Sequence, residues 1–173
     1  MEIAPEFHIS SERITACCSL LSRESLNQKI INLSPFLEKN PIEASAPCRI
    51  DMGGTLDIRT FYRPLSWLKP CTVNLALDMR TTVRLLPYKP EHINVSSKGF
   101  NSAEMPLQAV PFSHPLGLIF AVAYYFRAGG LHIEIDSASP PRSALGGSSV
   151  AAVALITALA GVFEQERGTA PLS

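Results

Sequence analysis

The chain of 173 residues is long enough for one domain with a substantial core. Apolar residues make up 46% of it and charged residues 17%, a composition that excludes an intrinsically disordered chain. Lys plus Arg and Asp plus Glu number 15 each, and neither sign forms a run, so no nucleic-acid partner is expected. The acidic start of the sequence has no secretory-type apolar segment, which predicts a cytoplasmic protein.

The N-terminal part of the chain has its own pattern. Apolar residues recur near helical spacing between positions 10 and 32, which predicts a helical extension. Residues 32–46 contain two prolines and small polar residues and predict a connector. We therefore predict an extension and linker at 1–44 and a domain at 45–173.

The rest of the chain alternates between strand-like and helix-like segments. Strands are predicted at 47–52, 72–77 and 81–86, more weakly at 93–96, and again at 131–136 from strict alternation. Helices are predicted at 116–126, before a Gly-Gly pair, and at 148–166, after a glycine-rich turn. This order predicts an α+β sandwich, with a mixed sheet and helices on one face.

Three groups of residues are interpreted as structural. The cysteines have no spacing typical of a zinc or redox motif, so they are predicted to be reduced, buried thiols: Cys17, Cys18, Cys48 and Cys71. Trp67 and the aromatic residues at 124–126 are assigned to packing, and His114 and His132 receive no catalytic role.

The uncharged segment 144–163 is long enough to span a bilayer. However, the first residues of this segment include Gly-Gly-Ser-Ser, and the rest of it is alanine-rich. No Lys or Arg cluster follows it. We therefore expect a buried helix of a globular core and no membrane partner.

The turn before this helix carries the chemistry. Residues 139–150 read Ser-Pro-Pro-Arg-Ser-Ala-Leu-Gly-Gly-Ser-Ser-Val. Glycines allow close approach of the backbone to a ligand, and the amides and dipole at a helix start favour an anion. No lysine follows the glycines, which excludes the Walker loop. A flexible turn with a serine cap remains the alternative.

Two segments resemble motifs of the GHMP kinases, the family of galactokinases, homoserine kinases, mevalonate kinases and phosphomevalonate kinases. Residues 141–150 resemble the signature Pro-x-x-x-Gly-Leu-Gly-Ser-Ser-Ala, and residues 46–57 resemble the opening strand and loop. Residues 72–86 are similar to the strand pair of the sugar-kinase branch. The resemblance covers 45 to about 167 and implies a ribosomal protein S5 domain 2-like fold. It also implies ATP, Mg²⁺ and phosphoryl transfer to a hydroxyl of a sugar or sugar phosphate.

The resemblance also implies roles for individual residues. Arg49 matches the arginine near the transferred phosphate and is the catalytic candidate, with a surface ion pair as the alternative. Ser148 is the candidate Mg²⁺ ligand, with a helix cap as the alternative. The candidate substrate-binding residues are Asp51, Gly53, Gly54, Thr55 and Asp57. The candidate nucleotide-binding residues are Pro141, Ser143, Ala144, Leu145, Gly146, Gly147, Ser148 and Ser149.

The sequence departs from the family pattern in two ways. Ala144 replaces the first glycine of Gly-Leu-Gly, and a positive φ there would strain alanine by roughly 1 kcal/mol. The sequence also has no segment matching the C-terminal domain of a family kinase, so a second copy or a partner is expected to supply that half. Two alternatives stay open: a non-catalytic nucleotide- or sugar-binding relative, and a homoserine- or isoprenoid-type kinase. The loop at 53–57 favours sugars.

Overall fold

The computed structural model describes residues 30–53, 63–69, 71, 73–110, 113–140, 143 and 145–166. The predicted helical extension lies almost wholly outside these ranges, as do Cys17 and Cys18.

A five-stranded mixed sheet organises the described part of the chain, in the order β2-β3-β7-β4-β5. Its β4 and β7 run parallel, and its other neighbouring strands are antiparallel. The short β1 and β6 form a separate parallel pair. The strands are β1 (Ile31–Asn32), β2 (Ile42–Gly53), β3 (Val73–Pro87), β4 (His92–Ser97), β5 (Ala103–Pro106), β6 (Ala128–Gly129) and β7 (Leu131–Ser137).

The described helices are α1 (Ser34–Leu37), α2 (Gly117–Tyr125) and α3 (Gly147–Glu166), with 3₁₀ turns at Ser66–Leu68 and Leu107–Ala109. Helix α3 packs on β2, β3 and β7, and α2 packs on α3, so both cover the same face of the sheet. Their side chains Phe120, Leu155 and Leu159 are fully buried with the sheet residues Leu85, Val95 and Ile133. The predicted α+β fold, with a mixed sheet and helices, is confirmed.

The opposite side of the sheet is polar. The guanidinium of Arg84 on β3 lies 2.6 Å from the Glu43 carboxylate and 3.7 Å from that of Glu134. All three side chains are about half exposed, so water screens these ion pairs and they contribute little to stability. This side therefore needs no further layer of apolar side chains.

Strand β3 is one continuous strand, and the prediction of two strands at 72–77 and 81–86 is wrong. The polar residues Asp78 and Arg80 lie between the two predicted segments. They are exposed, and the Arg80 side chain donates to the Ser45 hydroxyl and carbonyl on β2 at 2.9 and 3.0 Å. Polar residues on the solvent side interrupt a hydrophobic pattern without interrupting a strand.

Two residues predicted to be buried are exposed. Cys71 and Trp67 both precede β3, and the side chain of Trp67 is 74% exposed. The prediction is therefore wrong for both, because neither residue lies beneath the helices that cover the sheet. Cys48, in the covered part of β2, is fully buried as predicted.

The segment before β2 contributes to the same core. Leu33 and Leu37 are 1% exposed, and β2 begins at Ile42, three residues earlier than the predicted domain start. The division of the chain at 44/45 stays a prediction.

By length and composition alone, the segment 147–164 of α3 could cross a membrane. In the structure, Leu155, Leu159 and Val162 of this helix are fully buried against the rest of the core. A core helix passes the same test of length and composition, and the packing of α3 is that of a core helix.

Candidate functional site

The glycine turn leads directly into α3. Gly146 has a left-handed φ of 75°, where a side chain would be strained, and α3 starts at the next residue. The Val150 amide donates to the Gly146 carbonyl at 2.9 Å, which closes the first helical turn. The amides within that turn precede the first intrahelical bonds and form the positive end of the helix dipole. This end of α3 is suited to an anion.

Arg49 on β2 lies against the same turn. Its backbone amide donates to the Leu145 carbonyl at 3.5 Å, and a Cβ built on Gly146 would lie 3.8 Å from its Nε. Arg49 is exposed, and no carboxylate among the described residues forms an ion pair with it. The alternative of a surface ion pair therefore finds no support in the described part of the chain.

A cavity of about 760 Å³ opens at this end of α3, within the range of roughly 300–1,000 Å³ typical of small-molecule sites. One wall is the glycine turn and the start of α3. The other walls come from the turn after β4, the start of α2 and the end of β7. The lining residues are Thr81, Ser97, Lys98, Gly99, Phe100, Pro115, Leu116, Leu118, Ile119, Ile135, Ser137, Ser139, Pro140, Ser143, Gly146, Gly147, Ser148 and Ala151.

Residues 117–171 match the model of the GHMP kinases N terminal domain, a segment that includes α2, β7, the glycine turn and α3. In this segment the chain is similar to the N-terminal domain of the GHMP kinases. A search of curated protein sequences finds no match.

Solved structures of GHMP kinases have a similar fold. Mevalonate kinase of Methanococcus jannaschii is 16% identical with a TM-score of 0.53, over 75% of this chain and 48% of that one. For a D-glycero-D-manno-heptose 1-phosphate kinase from Bacteriodes thetaiotaomicron the values are 13%, 0.52, 75% and 50%. For Lactococcus lactis galactokinase, solved with galactose, they are 14%, 0.52, 79% and 37%. At these identities the likeness shows the fold, and the chain spans half or less of each structure.

The described nucleotide-binding candidates are brought together around the cavity. Ser143, Gly146, Gly147 and Ser148 line it, and Ser149 is exposed on the first turn of α3. Leu145 packs partly against the core. The candidates Pro141 and Ala144 lie outside the described residues, so the strain expected at Ala144 stays a prediction.

The substrate-binding candidates are less fully described. Asp51 and Gly53 form the end of β2, where they pair with Asn74 and Val73 of β3, and neither lines the cavity. Gly54, Thr55 and Asp57 lie outside the described residues. Their roles stay predictions.

The sequence analysis missed the far wall of the cavity and a group of hydroxyls within it. Lys98 and Phe100 belong to the turn after β4, and Thr81 and Ser137 belong to neighbouring strands of the sheet. The Lys98-Gly99 pair after a strand was a usable turn signal. No local sequence pattern indicated that β4 pairs in parallel with β7. This pairing brings the turn after β4 opposite the glycine turn.

His114 and His132, the two histidines that received no catalytic role, have structural partners. His114 Nδ1 accepts the Leu116 amide at 3.1 Å, at the start of α2. His132 Nε2 lies 2.8 Å from the Ser96 hydroxyl, on the side of the sheet that carries the ion pairs. Both contacts agree with the structural role assigned to these residues.

Apart from Arg84, whose pKa is raised by its hydrogen bond with Glu43, the described groups with shifted pKa values belong to one surface cluster outside the cavity lining. Hydrogen bonds from Lys89 Nζ at 2.9 Å and from the Tyr88 hydroxyl at 2.7 Å lower the pKa of Glu104. The same bonds raise the pKa of Lys89 and of Tyr88. All three groups are solvent-exposed, so the shifts mark a surface network and not a general acid or base.

Proposed function

We propose that the chain forms the ATP-phosphate-binding part of a kinase that transfers the γ-phosphate of ATP to a hydroxyl of a sugar or sugar phosphate. The observation that carries this proposal is the meeting of Arg49 with Gly146 at the N-terminus of α3, beside a cavity of about 760 Å³. The match to the GHMP kinases N terminal domain, and the kinases among the similar structures, support it.

The phosphates would be held by backbone amides of the glycine turn and the first turn of α3. Gly146 and Gly147 leave room for the anion. In the described part of the chain, a Cβ built on Gly147 would have only the Ser139 hydroxyl within 4 Å, at 3.7 Å. The helix dipole adds a fixed partial positive charge. Lys98 lines the same cavity and would supply a cation.

Arg49 would act on the transferred group. During transfer, the acceptor oxygen forms a bond to the γ-phosphorus while the bond from phosphorus to the bridging oxygen of ADP breaks, and the acceptor proton leaves to a base. Negative charge is then shared by the entering, leaving and equatorial oxygens. A guanidinium beside the glycine turn offsets that charge by paired hydrogen bonds.

The residues present fit a Mg²⁺ ion that is held mostly by the nucleotide. No group of three or more His, Cys, Asp or Glu occurs in the described part of the chain that could bind a metal by itself. Magnesium commonly takes one or two protein oxygens and fills its other positions with phosphates and water. The exposed hydroxyl of Ser148 at the cavity edge is the candidate protein ligand, and the ion would neutralise charge on the phosphates.

The acceptor is proposed to be a sugar or sugar phosphate, bound near the end of β2, where Asp51 follows Arg49 at two residues' distance. A carboxylate there can accept hydrogen bonds from sugar hydroxyls. We propose a cytoplasmic protein with neither nucleic-acid nor membrane partners.

The first test is calorimetric titration of the purified chain with Mg²⁺ and ATP. We expect binding at millimolar or lower concentration, weakened roughly tenfold or more by Gly146→Asp, because that change puts a strained carboxylate beside the phosphates. Ser148→Ala should weaken binding by a smaller factor. Thr157→Ala is the matched control, because it removes a hydroxyl that bonds the Val153 carbonyl within α3, outside the cavity.

Absence of ATP binding by the folded chain would contradict the proposal. Turnover of ATP with a panel of sugars and sugar phosphates then separates a kinase from a binding relative. Binding without turnover would favour the reading in which the chain needs another half.

A further inference from the structure

Three hydroxyls form a row that runs from the sheet to the glycine turn. The Thr81 hydroxyl on β3 lies 2.9 Å from the Ser137 hydroxyl on β7, which lies 3.0 Å from the Ser139 hydroxyl. Thr81 is fully buried, and the other two residues are half-buried. The register of β3 and β7 determines the position of this row, because Thr81 and Ser137 are directly paired across the two antiparallel strands.

The burial of Thr81 sets the direction of the first hydrogen bond. Among the described residues, the Ser137 oxygen is the one hydrogen-bond partner of the Thr81 side chain. Each hydroxyl has a single proton, and a buried proton without an acceptor is costly. Thr81 therefore donates to Ser137, since the opposite direction would leave the Thr81 proton unbonded inside the core.

The direction of the second bond follows from the first. The Ser137 oxygen accepts from Thr81 and also from the Ser139 amide at 3.3 Å. With two donors on its oxygen, Ser137 directs its own proton to its remaining partner, the Ser139 oxygen. The proton of Ser139 is then the one in this row that has no acceptor within the described part of the chain.

The Ser139 hydroxyl faces the start of α3. It lines the cavity, and its oxygen would lie 3.7 Å from a Cβ built on Gly147. The amides of Gly147 and Ser148 belong to the same small region, in the first turn of the helix. The row of hydrogen bonds therefore ends with the Ser139 proton, next to the backbone amides at the start of α3.

We propose that Ser139 is a further phosphate-binding residue of the site, whose hydroxyl donates to a phosphate oxygen, and that Thr81 and Ser137 are positioning residues that set the direction of its proton. This inference rests on the proposed function and deepens it. A phosphate oxygen carries no proton and only accepts, so it suits a chain that presents a donor. The nucleoside alone gains nothing from this contact.

The test compares Mg²⁺–ATP with adenosine as ligands for the full chain and its variants. Ser139→Ala should weaken ATP binding roughly tenfold, the factor typical of a hydrogen bond to a charged group, and leave adenosine binding unchanged. Thr81→Val keeps the shape of the side chain without the hydroxyl and should weaken ATP binding roughly threefold, because Ser139 can then turn its proton back to Ser137. Thr81→Ser, which keeps the hydroxyl, should restore most of the affinity.

The outcomes separate this inference from the proposed function. If the wild-type chain binds ATP and Ser139→Ala binds it equally well, the inference is overturned and the proposed function stands. Equal losses of ATP and adenosine affinity, or a lower melting temperature of unliganded Ser139→Ala, would indicate a packing role and also overturn it. If the wild-type chain binds no ATP, both fall together. Ser139 is half-buried in a loop, so its variant remains testable even if Thr81→Val does not fold.

Discussion

The two halves of β3 have the same hydrophobic pattern and opposite environments. In the second half, Val83 and Leu85 are fully buried beneath the helices. In the first half, the alternate residues Val73 and Leu75 are 54% and 51% exposed. The comparison teaches that alternation identifies which side of a strand is apolar, whereas burial depends on what covers that side.

The exposed half of β3 pairs with the end of β2, and we call residues 49–53 and 73–76 the arm. Register places Ile50 opposite Leu75, and both side chains are exposed. The arm also carries Arg49, the residue that meets the glycine turn. Its apolar residues therefore contribute little to the stability of the described core, while its first residue belongs to the candidate site.

The largest expected effect contrasts two leucines of β3. Leu85→Ala should lower the free energy of unfolding by about 2–5 kcal/mol, because it removes fully buried atoms and leaves a cavity. Leu75→Ala should lower it by less than about 1 kcal/mol, because half of that side chain is already in water. Urea denaturation measures both. Equal losses would mean that the arm is covered in solution and would break the comparison.

A smaller effect tests whether the arm serves the site. Arg49→Ala should weaken ATP binding by about threefold to tenfold, since it removes a cation beside the glycine turn, while Arg49→Lys should lose less. Arg84→Ala is the matched control, because it removes an exposed arginine from the ion-pair side of the sheet. Calorimetry gives the affinities. Equal effects of the two alanine variants would assign Arg49 to general electrostatics only.

Helix α3 allows a similar contrast on its uncovered side. Among the described residues, a Cβ at Gly161 would meet nothing within 4 Å, and Gly161 lies inside the helix without a left-handed φ. Gly161→Ala should therefore stabilise the protein by about 0.5–1 kcal/mol by reducing the freedom of the unfolded chain. Thermal unfolding measures the change, and a loss of stability would show that another surface lies against this part of α3.

The smallest effect concerns pH and the surface cluster at Glu104. Its pKa is lowered in the fold, chiefly by the hydrogen bond from Lys89 and then by that from Tyr88. The stabilising contribution is therefore present above the unfolded pKa of a glutamate and is lost as pH falls through the lower, folded pKa. Lys89→Met should raise the pKa of Glu104 in a carboxyl NMR titration. An unchanged value would mean that this hydrogen bond does not form in solution.

Local sequence patterns predicted the elements that are covered. Helices α2 and α3, strand β7 and the glycine turn were located to within a few residues, because their periodicity and caps reflect burial by the adjacent elements. The errors at Trp67 and Cys71 share one cause: both residues were assigned to the core by type, although no described helix covers the segment before β3. The error in the middle of β3 has another cause, because polar residues on the solvent side interrupt the apolar pattern there.

The site was predictable in one half only. Its glycine turn has a local signature, whereas Lys98 and Thr81 reach the cavity through strand pairing between distant segments. The four-residue β5 and its antiparallel pairing with β4 were likewise missing from the prediction, since so short a strand has no periodicity of its own.

The parallel pairing of β4 with β7 also affects how the protein folds. Ile93 pairs with Leu131 across the intervening β5, α2 and β6, and the pairing of Thr81 with Ser137 joins β3 and β7 over a still longer stretch of chain. Contacts between distant segments form slowly, because the entropy of closing the loop is lost before the contacts are gained. The two walls of the cavity are therefore expected to meet late during folding. A nucleotide added to a refolding chain would report on the step that joins β7 to the strands before it.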